Sequence, residues 1–451
     1  MDWEARVYVD GVFLGSHRGG YDAFSFDVTD LVGARDEHEL VVGIYDPNER
    51  GPQPHGKQNC GKLGHAFGVG YACSSGIWQA VWLEGLASAA TVPPDGFVAT
   101  PTAALDGVAL DVVDAAALVS AGADAVEVAV DGDAGISWRL ADAPPMLRVR
   151  APARLWRPGA PELYRATVRV RDSEGAVLDE FRTYFGIRTI SVALDARGVP
   201  RPSLNGAPVF QFGVLDQGFW PDGVYAPPSD AAIAFDVAAQ RDLGFNAQRH
   251  HLKVESRRWY SHADALGLMV WQDMPAPQCG GYGNRSNYAT TQDIYLREFA
   301  RLVATRRGHP SIVQWDAFNE ACATKYDHER EPDLAWYARV SAVARAARDG
   351  RLLDICSGCD DAGFGDVKDE HRYARKPADL KMAPWNASAR RPSLVGEIGG
   401  FVSVVEDWEP DQSPGWANGS NVSGCLATAH WAGYEVFIGK NSREAMTAAA
   451  A

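Results

Sequence analysis

The sequence predicts a multidomain protein in which two β-sandwiches precede a (β/α)8 barrel, with domains at residues 1–90, 91–190 and 191–451. Three observations support this prediction. The length of 451 residues suits three domains of about 150 residues each. Short runs with period-two apolar patterning recur through the first 190 residues, which is typical of antiparallel sheets. From about Ser203, short apolar strands alternate with longer helical stretches, which is typical of a parallel sheet.

The first domain is predicted from a β-hairpin. Strands at 6–9 and 12–14 flank Asp10 and Gly11, and this dipeptide suits the positive φ angles of a two-residue turn. Further strands are predicted at 23–28, 38–45 and 77–84. About five strands are fewer than the eight of a jelly roll, so we expect a partial jelly-roll sandwich.

The second domain is predicted to be an immunoglobulin-like β-sandwich, because about seven short strands fit within roughly 100 residues. The clearest strands are at 109–113, 125–130, 147–149, 164–170 and 177–184. The alanine-rich residues 115–119 also suit a helix, but we predict a loop there. No residue of this domain is a candidate for chemistry.

The third domain is predicted to contain seven barrel strands, whereas a TIM barrel needs eight. The predicted strands are at 209–214, 245–249, 268–273, 312–318, 352–356, 367–373 and 394–398. The segment after Glu397 is short and ends in helix-like GKNSREAMTAAAA, so we expect a TIM barrel without its last strand. The alternative is that residues 434–438 fold back as a substitute strand.

The composition excludes several classes of function. The chain has 43 Lys and Arg residues against 58 Asp and Glu, and this net charge of −15 repels nucleic acid and anionic membranes. No apolar run approaches the roughly 18 to 20 residues of a membrane span, and no export signal is visible. We therefore expect a neutral small-molecule partner. Localisation stays open, with the cytoplasm as the default, and so does assembly into a homo-oligomer.

Neither a cofactor nor a metal is predicted. Seven cysteines are too few for a disulfide framework in a chain of this length, so we expect reduced thiols. Cys356 and Cys359 have the spacing of a metal or redox site but lack a second such pair. His250 and His251 are neighbours on a predicted strand and point to opposite faces, so they do not bind one ion together.

Polar residues gather at the carboxyl ends of the predicted barrel strands, where the active sites of such barrels lie. They are Arg249-His250-His251, Trp271-Gln272-Asp273, Asn319-Glu320 and Glu397. Two carboxyl groups so placed can hydrolyse a glycoside, one as acid/base and the other as nucleophile, without a metal. The alternative is that each glutamate is a salt-bridge partner at the barrel mouth.

Several segments distributed over nearly the whole chain carry a common signature. In chain order they are SSGIWQAVWLE, LWRPGAPELYRATV, LGFNAQRHHLKVESRRWYSHADALGLMVWQDMP, HPSIVQWDAFNE, GDVKDEHRY and PSLVGEIGG. In sequence and in order they resemble glycoside hydrolase family 2, the family of β-galactosidases, β-mannosidases and β-glucuronidases. The resemblance implies the three-domain architecture predicted above, in which the partial jelly roll at residues 1–90 would be a sugar-binding domain.

The resemblance also implies a role for each candidate residue. Glu320, in FNE, would be the acid/base, Glu397, in GEIGG, the nucleophile, and Asn319 would hold the sugar 2-hydroxyl. The residues implied to line the sugar pocket or orient the carboxylates are Arg249, His251, Asp273 and Tyr373, with Trp220 and Trp271 as stacking platforms. We expect the neighbouring carboxylate to keep Glu320 protonated near neutral pH.

The function implied by the resemblance is that of a retaining exo-β-glycosidase that acts by double displacement on a β-glycoside. We expect it to be β-galactosidase-like and to prefer neutral sugars. Compared with the family pattern, both ends of the chain look cut, so a fragment with little or no activity is expected. The alternative is a truncated, non-catalytic carbohydrate-binding remnant.

Overall fold

The computed structural model describes residues 1–33, 36–48, 51–58, 71–133, 135–275, 288–320, 333–359, 361–373 and 390–399. These residues contain 22 strands and five helices. Antiparallel sheets occupy the first half of the described chain, and parallel strands that alternate with helices occupy the second half. This division agrees with the change of pattern that the sequence shows near Ser203.

The first sheet contains three antiparallel strands in the order β2-β1-β3. They are β1 (Glu4–Val9), β2 (Val12–Arg18) and β3 (Leu40–Tyr45). Asp10 and Gly11 connect β1 to β2 with φ angles of 50° and 79°, as predicted for this turn. Alternate residues of β1 are buried, so one face of the sheet packs inward.

The strands predicted at 23–28 and 77–84 are wrong. Neither segment forms a ladder with a described strand, because the sheet ends at β2 and β3. Alternating apolar residues suit a strand, but a strand also needs a hydrogen-bonded neighbour. Trp78 is instead buried against the barrel, where its indole nitrogen donates to the Gly20 carbonyl at 3.1 Å.

The second domain is a sandwich of a three-stranded sheet, β4-β5-β8, and a four-stranded sheet, β12-β11-β6-β7. Its elements are β4 (Phe97–Pro101), β5 (Gly107–Val112), α1 (Ala115–Ser120), β6 (Ala125–Val130), β7 (Gly135–Arg139), β8 (Met146–Arg148), β9 (Trp156–Arg157), β10 (Ala160–Pro161), β11 (Tyr164–Arg171) and β12 (Val177–Phe185). One core includes Val108 and Leu110 from the first sheet and Val128 and Val168 from the second. The two faces therefore pack against each other, as in the predicted sandwich.

The loop predicted at residues 115–119 is wrong, because the structure has the helix α1 there. Leu118 is 3% exposed and belongs to the core of the sandwich. Alanine and leucine favour the helix, and the buried Leu118 side chain fixes it to the sheets.

A small sheet separates the sandwich from the barrel. It contains β13 (Ile190–Leu194), β14 (Pro200–Leu204) and β15 (Ala207–Pro208) in that order. Ile190 and Leu204 share a core with Ala247 and Met269, which lie in barrel strands. The small sheet therefore packs against the amino-terminal ends of barrel strands.

The barrel region contains seven parallel strands among the described residues. Strands β16 (Gly213–Asp216), β17 (Ala247–His250), β18 (Met269–Asp273), β19 (Ile312–Asp316) and β20 (Leu352–Asp354) form one sheet in chain order, and β21 (Lys368–Tyr373) pairs with β22 (Ser393–Gly399). Each lies at or beside a predicted strand. Residues 434–438, the suggested substitute strand, lie outside the described residues.

Four helices accompany these strands. They are α2 (Asp230–Asp242), α3 (Arg257–Leu266), α4 (Tyr288–Arg306) and α5 (Leu334–Ala346). Ser229 and Asp333 cap α2 and α5 by accepting backbone hydrogen bonds, each at 3.1 Å, and α3 ends at Gly267 with φ 78°. Among the described helices, none combines the length and apolar character needed to cross a membrane.

The sandwich is joined to the base of strand β19 through buried polar groups. Arg188, which is 3% exposed, donates from Nε to the Pro310 carbonyl at 3.0 Å and from Nη2 to the Ile312 carbonyl at 2.6 Å. The Asp264 carboxylate accepts from Tyr184 of the sandwich at 2.8 Å and bonds His309 at 2.6 Å. The sandwich therefore holds the start of the strand that leads to Glu320.

Candidate active site

The polar side chains predicted at the strand ends meet at the carboxyl end of the barrel. Arg249 lies on β17, Asp273 ends β18, Asn319 and Glu320 follow β19, and Glu397 lies on β22. Because these strands are parallel, their carboxyl ends reach the same face of the barrel. The structure thus brings together side chains that are as far apart as 148 residues in the sequence.

Arg249 is the centre of this group, with a side chain only 2% exposed. Its Nε and Nη2 donate to the two oxygens of Asp273, each at 3.0 Å, in a bidentate pair. Its Nη2 also donates to Asn319 Oδ1 at 2.9 Å, and its Nη1 donates to Glu397 Oε1 at 3.2 Å. One guanidinium therefore orients three of the residues predicted to form the site.

Asp273 is an ionised anchor for its neighbours. It accepts hydrogen bonds from Arg249, from His251 Nδ1 at 2.7 Å and from the Leu252 backbone at 3.2 Å. Burial alone would raise the pKa of Asp273, but the Arg249 cation and the His251 bond outweigh it and hold that pKa well below its usual range.

His251 is neutral in this environment. Its side chain is 1% exposed, and burial, followed by the nearby Arg249 cation, lowers the pKa of His251 to about 4. Since Nδ1–H donates to Asp273, Nε2 carries the lone pair. Nε2 has no hydrogen-bond partner among the described residues and lies 3.9 Å from Glu397 Oε1. His250 points to the other face of the strand, where it bonds Gln248, as predicted from alternation.

The neutral His251 predicts a loss of stability in acid. The ordinary histidine pKa is about 6.5, so between pH 6.5 and pH 4 the unfolded chain binds a proton that the folded chain does not. The stabilisation is complete above pH 6.5 and is lost as the pH falls towards 4, by an amount of the order of 3 kcal/mol.

His251→Gln tests this expectation, since glutamine retains a donor to Asp273 but does not titrate. Urea unfolding at pH 7.5 and pH 4.5 should show a smaller pH-dependent loss in the variant than in the unchanged chain. Equal losses in the two proteins would contradict the assignment of a neutral His251. The contributions of the other titrating groups cancel in this comparison, because both proteins contain them.

Glu320 is the more accessible of the two predicted catalytic carboxylates, with 56% of its side chain exposed against 9% for Glu397. Its backbone has φ 58°, a left-handed conformation that is uncommon for residues other than glycine. The Glu320 amide donates to the Ser357 carbonyl at 2.8 Å, which holds this conformation. A carboxylate oxygen of Glu320 lies within 4.8 Å of a carboxylate oxygen of Glu397.

The expectation that Glu320 stays protonated near neutral pH is wrong, because the pKa of Glu320 is lowered rather than raised. A hydrogen bond with His371 Nδ1, 3.0 Å from Glu320 Oε1, lowers the pKa of Glu320, and this effect outweighs the rise that burial would cause. The expectation considered only the neighbouring carboxylate, whereas the closest polar group is an imidazole.

His371 is a site residue that the sequence reasoning missed. It lies on β21 beside Glu320 and Glu397, and its Nε2 is 2.9 Å from Ser357 Oγ. The signal that could have found it is strand alternation, because in DEHRY it is two positions before the predicted Tyr373. Ser357 was missed because it lies in the turn after β20. Asp369, whose carboxylate accepts a hydrogen bond from Ser357 Oγ, was missed because it precedes the end of its strand.

Three predicted residues do not join this group in the described structure. Trp271 is 8% exposed and packs in the lower barrel core, with its indole nitrogen bonded to Gln211, so little of its face is open to a sugar. Trp220 lines a different cavity of about 240 Å³ beside Asp236 and Trp259. The Tyr373 side chain lies outside the described part of the chain. The sugar-binding roles of all three stay predictions.

The turn after β20 contains a disulfide between Cys356 and Cys359, whose Cα atoms are 5.4 Å apart. The expectation of reduced thiols is therefore wrong for this pair. The tight turn, in which Gly358 has φ 73°, brings the two residues within bonding range, which sequence spacing alone does not establish.

A metal does not suit the carboxylate group at the barrel mouth. Glu320, His371 and Glu397 place donor atoms within 4.8 Å of one another, the kind of set that can hold a cation. The Arg249 guanidinium already faces this set, at 3.2 Å from Glu397 and 3.4 Å from His371. This guanidinium already supplies a positive charge for the carboxylates to pair with, so we predict no metal here.

Comparison with known proteins identifies relatives of the sandwich and of the barrel region. Residues 105–188 match the profile of glycosyl hydrolases family 2, and residues 229–345 match that of glycosyl hydrolases family 2, TIM barrel domain. A β-galactosidase from Thermoanaerobacter pseudethanolicus is 26% identical over 361 residues, which are 78% of this chain and 46% of that relative. The chain thus spans less than half the length of this relative.

Solved structures of β-glucuronidases share the fold. The enzyme from Ruminococcus gnavus, solved in complex with D-glucuronic acid, matches with a TM-score of 0.69 and 19% identity over 96% of this chain and 75% of that chain. A β-glucuronidase from Bacteroides uniformis matches with a TM-score of 0.67 and 18% identity over 96% of this chain and 54% of that chain. At 18% and 19% identity, this similarity shows only that the chains share a fold.

Proposed function

We propose that this chain, which belongs to glycoside hydrolase family 2, hydrolyses terminal β-linked sugars with retention of anomeric configuration. One observation carries the proposal: carboxylate oxygens of Glu320 and Glu397 lie within 4.8 Å of each other. Retaining glycosidases have carboxyl groups about 5 to 5.5 Å apart, whereas inverting enzymes leave about 6.5 to 9.5 Å for a water molecule. The short separation supports double displacement.

In the first step Glu397 attacks the anomeric carbon. A bond forms between that carbon and a Glu397 oxygen, the bond to the leaving oxygen breaks, and a proton from Glu320 moves to the leaving oxygen. The 3.2 Å hydrogen bond from Arg249 favours the ionised form of Glu397 and orients it. Arg249 is itself fixed by the bidentate pair with Asp273.

In the second step water attacks the anomeric carbon of the glycosyl-enzyme. Glu320 takes a proton from the water molecule, the bond to Glu397 breaks, and the sugar leaves in its original configuration. The greater exposure of Glu320 supports this division of roles, because the incoming water must reach the base.

Two neighbours of the carboxylates are suited to bind the sugar. Asn319 accepts from Arg249 through Oδ1, and its amide nitrogen can donate to the 2-hydroxyl. Neutral His251 presents the Nε2 lone pair towards Glu397 and can accept from a sugar hydroxyl. Both contacts involve uncharged groups.

The charges of the site support a neutral sugar. Arg249 is already engaged by Asp273 and Glu397, and an anionic sugar would meet the two catalytic carboxylates. Among the described residues, Lys57 of the first domain would favour a glucuronide, since its charge acts on Glu320 and His251.

We therefore expect a β-galactoside to be hydrolysed with a kcat/KM at least about tenfold higher than that of a β-glucuronide, a difference of about 1.4 kcal/mol in transition-state binding. Rates on a panel of 4-nitrophenyl β-glycosides measure this preference, with Glu397→Gln as the inactive control. A higher value for the glucuronide would overturn the preference for neutral sugars.

The same panel separates an enzyme from a carbohydrate-binding remnant. Turnover that exceeds the Glu397→Gln control supports the glycosidase. Equal background rates in both proteins, together with saturable sugar binding by calorimetry, would instead support the non-catalytic alternative.

A further inference from the structure

His371 is surrounded by polar side chains of four other strands or strand ends. Its Nδ1 lies 3.0 Å from Glu320 Oε1, and its Nε2 lies 2.9 Å from Ser357 Oγ. Nε2 is also 3.4 Å from Arg249 Nη1 and 3.7 Å from Glu397 Oε1. The side chain is 7% exposed, so protein groups rather than bulk water surround most of it.

The backbone beside His371 holds the imidazole ring in place. A Cβ atom on Gly358 would lie 2.6 Å from three ring atoms, so the ring packs directly on this glycine. Gly358 has φ 73°, which a side chain would also disfavour. The ring therefore has little room to turn away from Glu320.

The hydrogen bonds around the ring suit two proton positions. In the imidazolium form, Nδ1–H donates to ionised Glu320 and Nε2–H donates to Ser357 Oγ, whose own proton goes to the Asp369 carboxylate. The 3.4 Å contact between Nε2 and Arg249 Nη1 is then not a hydrogen bond, because both nitrogens carry protons. In the neutral form, Nδ1 accepts from protonated Glu320 and the bonds on the Nε2 side are unchanged. The two forms differ only in one proton between Nδ1 and Oε1.

We propose that His371 and Glu320 hold the catalytic proton jointly, with His371 as the positioning residue that keeps this proton available to the acid/base. The inference rests on the proposed glycosidase function. The Nδ1 proton of imidazolium His371 moves to ionised Glu320, and Glu320 gives this same proton to the leaving oxygen. The products of this transfer are a neutral imidazole, an ionised Glu320 and a protonated leaving group. In the second step the proton taken from water returns to the pair.

The lowered pKa of Glu320 is the reason that a partner is needed. A carboxyl group with such a pKa is ionised near neutral pH and has no proton to donate by itself. Within the described residues, the charged or titratable groups that face the pair include Arg249 on β17, Glu397 on β22, Asp369 on β21, His251 after β17 and Lys57 of the first domain. All of these remain in a variant that lacks only the imidazole.

The test is the pH dependence of kcat/KM in His371→Gln. The imidazole of an ordinary histidine titrates about two pH units above a glutamate carboxyl, so its loss should move the alkaline limb of the profile down by about one to two units. At neutral pH, kcat/KM for a phenyl β-glycoside should fall by about 10- to 100-fold. For a 2,4-dinitrophenyl β-glycoside, whose leaving group needs no proton, it should change little.

His262→Gln is the matched control, because His262 lies on α3 at the surface and bonds Asp230. It should leave the profile and the ratio of the two substrates unchanged. If His371→Gln behaves like this control, the proposal is wrong. Uniform loss on both substrates without a shift of the alkaline limb also overturns it, since that pattern indicates a merely structural role.

The test of the shared proton can be distinguished from the test of the proposed glycosidase activity. Turnover that Glu397→Gln abolishes establishes the glycosidase whatever His371→Gln does. If the unchanged chain has no such turnover, the shared proton is tested by NMR of protein labelled with ¹³C-histidine, the His371 signal being the one that His371→Gln removes. The pH at which this signal titrates should differ between the unchanged chain and Glu320→Gln. Identical titrations would refute the shared proton.

Discussion

Glu397→Gln is expected to lower kcat by about 10⁴-fold or more, because the variant retains the shape of the side chain but loses the attacking oxygen. Glu397 is 9% exposed and receives the Arg249 hydrogen bond, so a neutral amide also weakens the pairing that orients the site. Initial rates on a 4-nitrophenyl β-glycoside measure the loss. A loss below about 100-fold would contradict the assignment of the nucleophile.

Azide rescue distinguishes the two glutamates. In Glu397→Gly, azide can enter the cavity and attack from the face of the missing carboxylate, so the product is an α-glycosyl azide. In Glu320→Gly, azide replaces the activated water and attacks the glycosyl-enzyme, so the product is a β-glycosyl azide. The opposite pair of products would show that the roles of the two glutamates are exchanged. Covalent labelling by a 2-fluoro sugar at a residue other than Glu397 would refute the assignment of the nucleophile.

Arg249→Met is expected to destabilise the fold by about 3 to 5 kcal/mol, because it leaves buried carboxylates without their cation. Arg249 is 2% exposed and contacts Asp273, Asp316 and Glu397. Against a typical stability of about 5 to 15 kcal/mol, such a loss is a large fraction of the total. Urea unfolding followed by circular dichroism measures it.

Arg139→Met is the matched control for this substitution. Arg139 pairs with Asp124 on the surface of the sandwich and is 67% exposed, so its loss should leave the free energy of unfolding close to that of the unchanged chain. Arg249→Met with Asp273→Asn should be more stable than Arg249→Met alone, since the second change removes the charge left unpaired. If Arg249→Met is no less stable than Arg139→Met, the central role of Arg249 is wrong.

The barrel and its carboxylates could be predicted because their signals are local. The clearest strands, such as β18 and β19, are short apolar runs, and Glu320 and Glu397 each lie at or just beyond the end of such a run. The geometry of parallel strands then brings the ends together without knowledge of any particular contact. For this reason Arg249, Asp273 and Asn319 also fall within the predicted site.

The parts of the fold and of the site that were not predicted depend on contacts that the sequence pattern does not encode. Segments 23–28 and 77–84 alternate like strands but have no neighbour to pair with in the described structure. His371 belongs to the site because the turn at Ser357 and Gly358 brings it against Glu320. The lowered pKa of Glu320 follows from this contact, so a prediction from the two carboxylates alone had the wrong sign.

The buried bonds of Arg188 and Asp264 bear on how this architecture can be recombined. Arg188 belongs to the segment after the sandwich, whereas its acceptors Pro310 and Ile312 lie at the start of β19. Asp264 links Tyr184 to His309 in the same way. A chimera that joins the sandwich of one relative to the barrel of another at residue 190 would separate these partners. Such exchanges should succeed only when both parents carry the same hydrogen-bonding partners on the two sides of the junction.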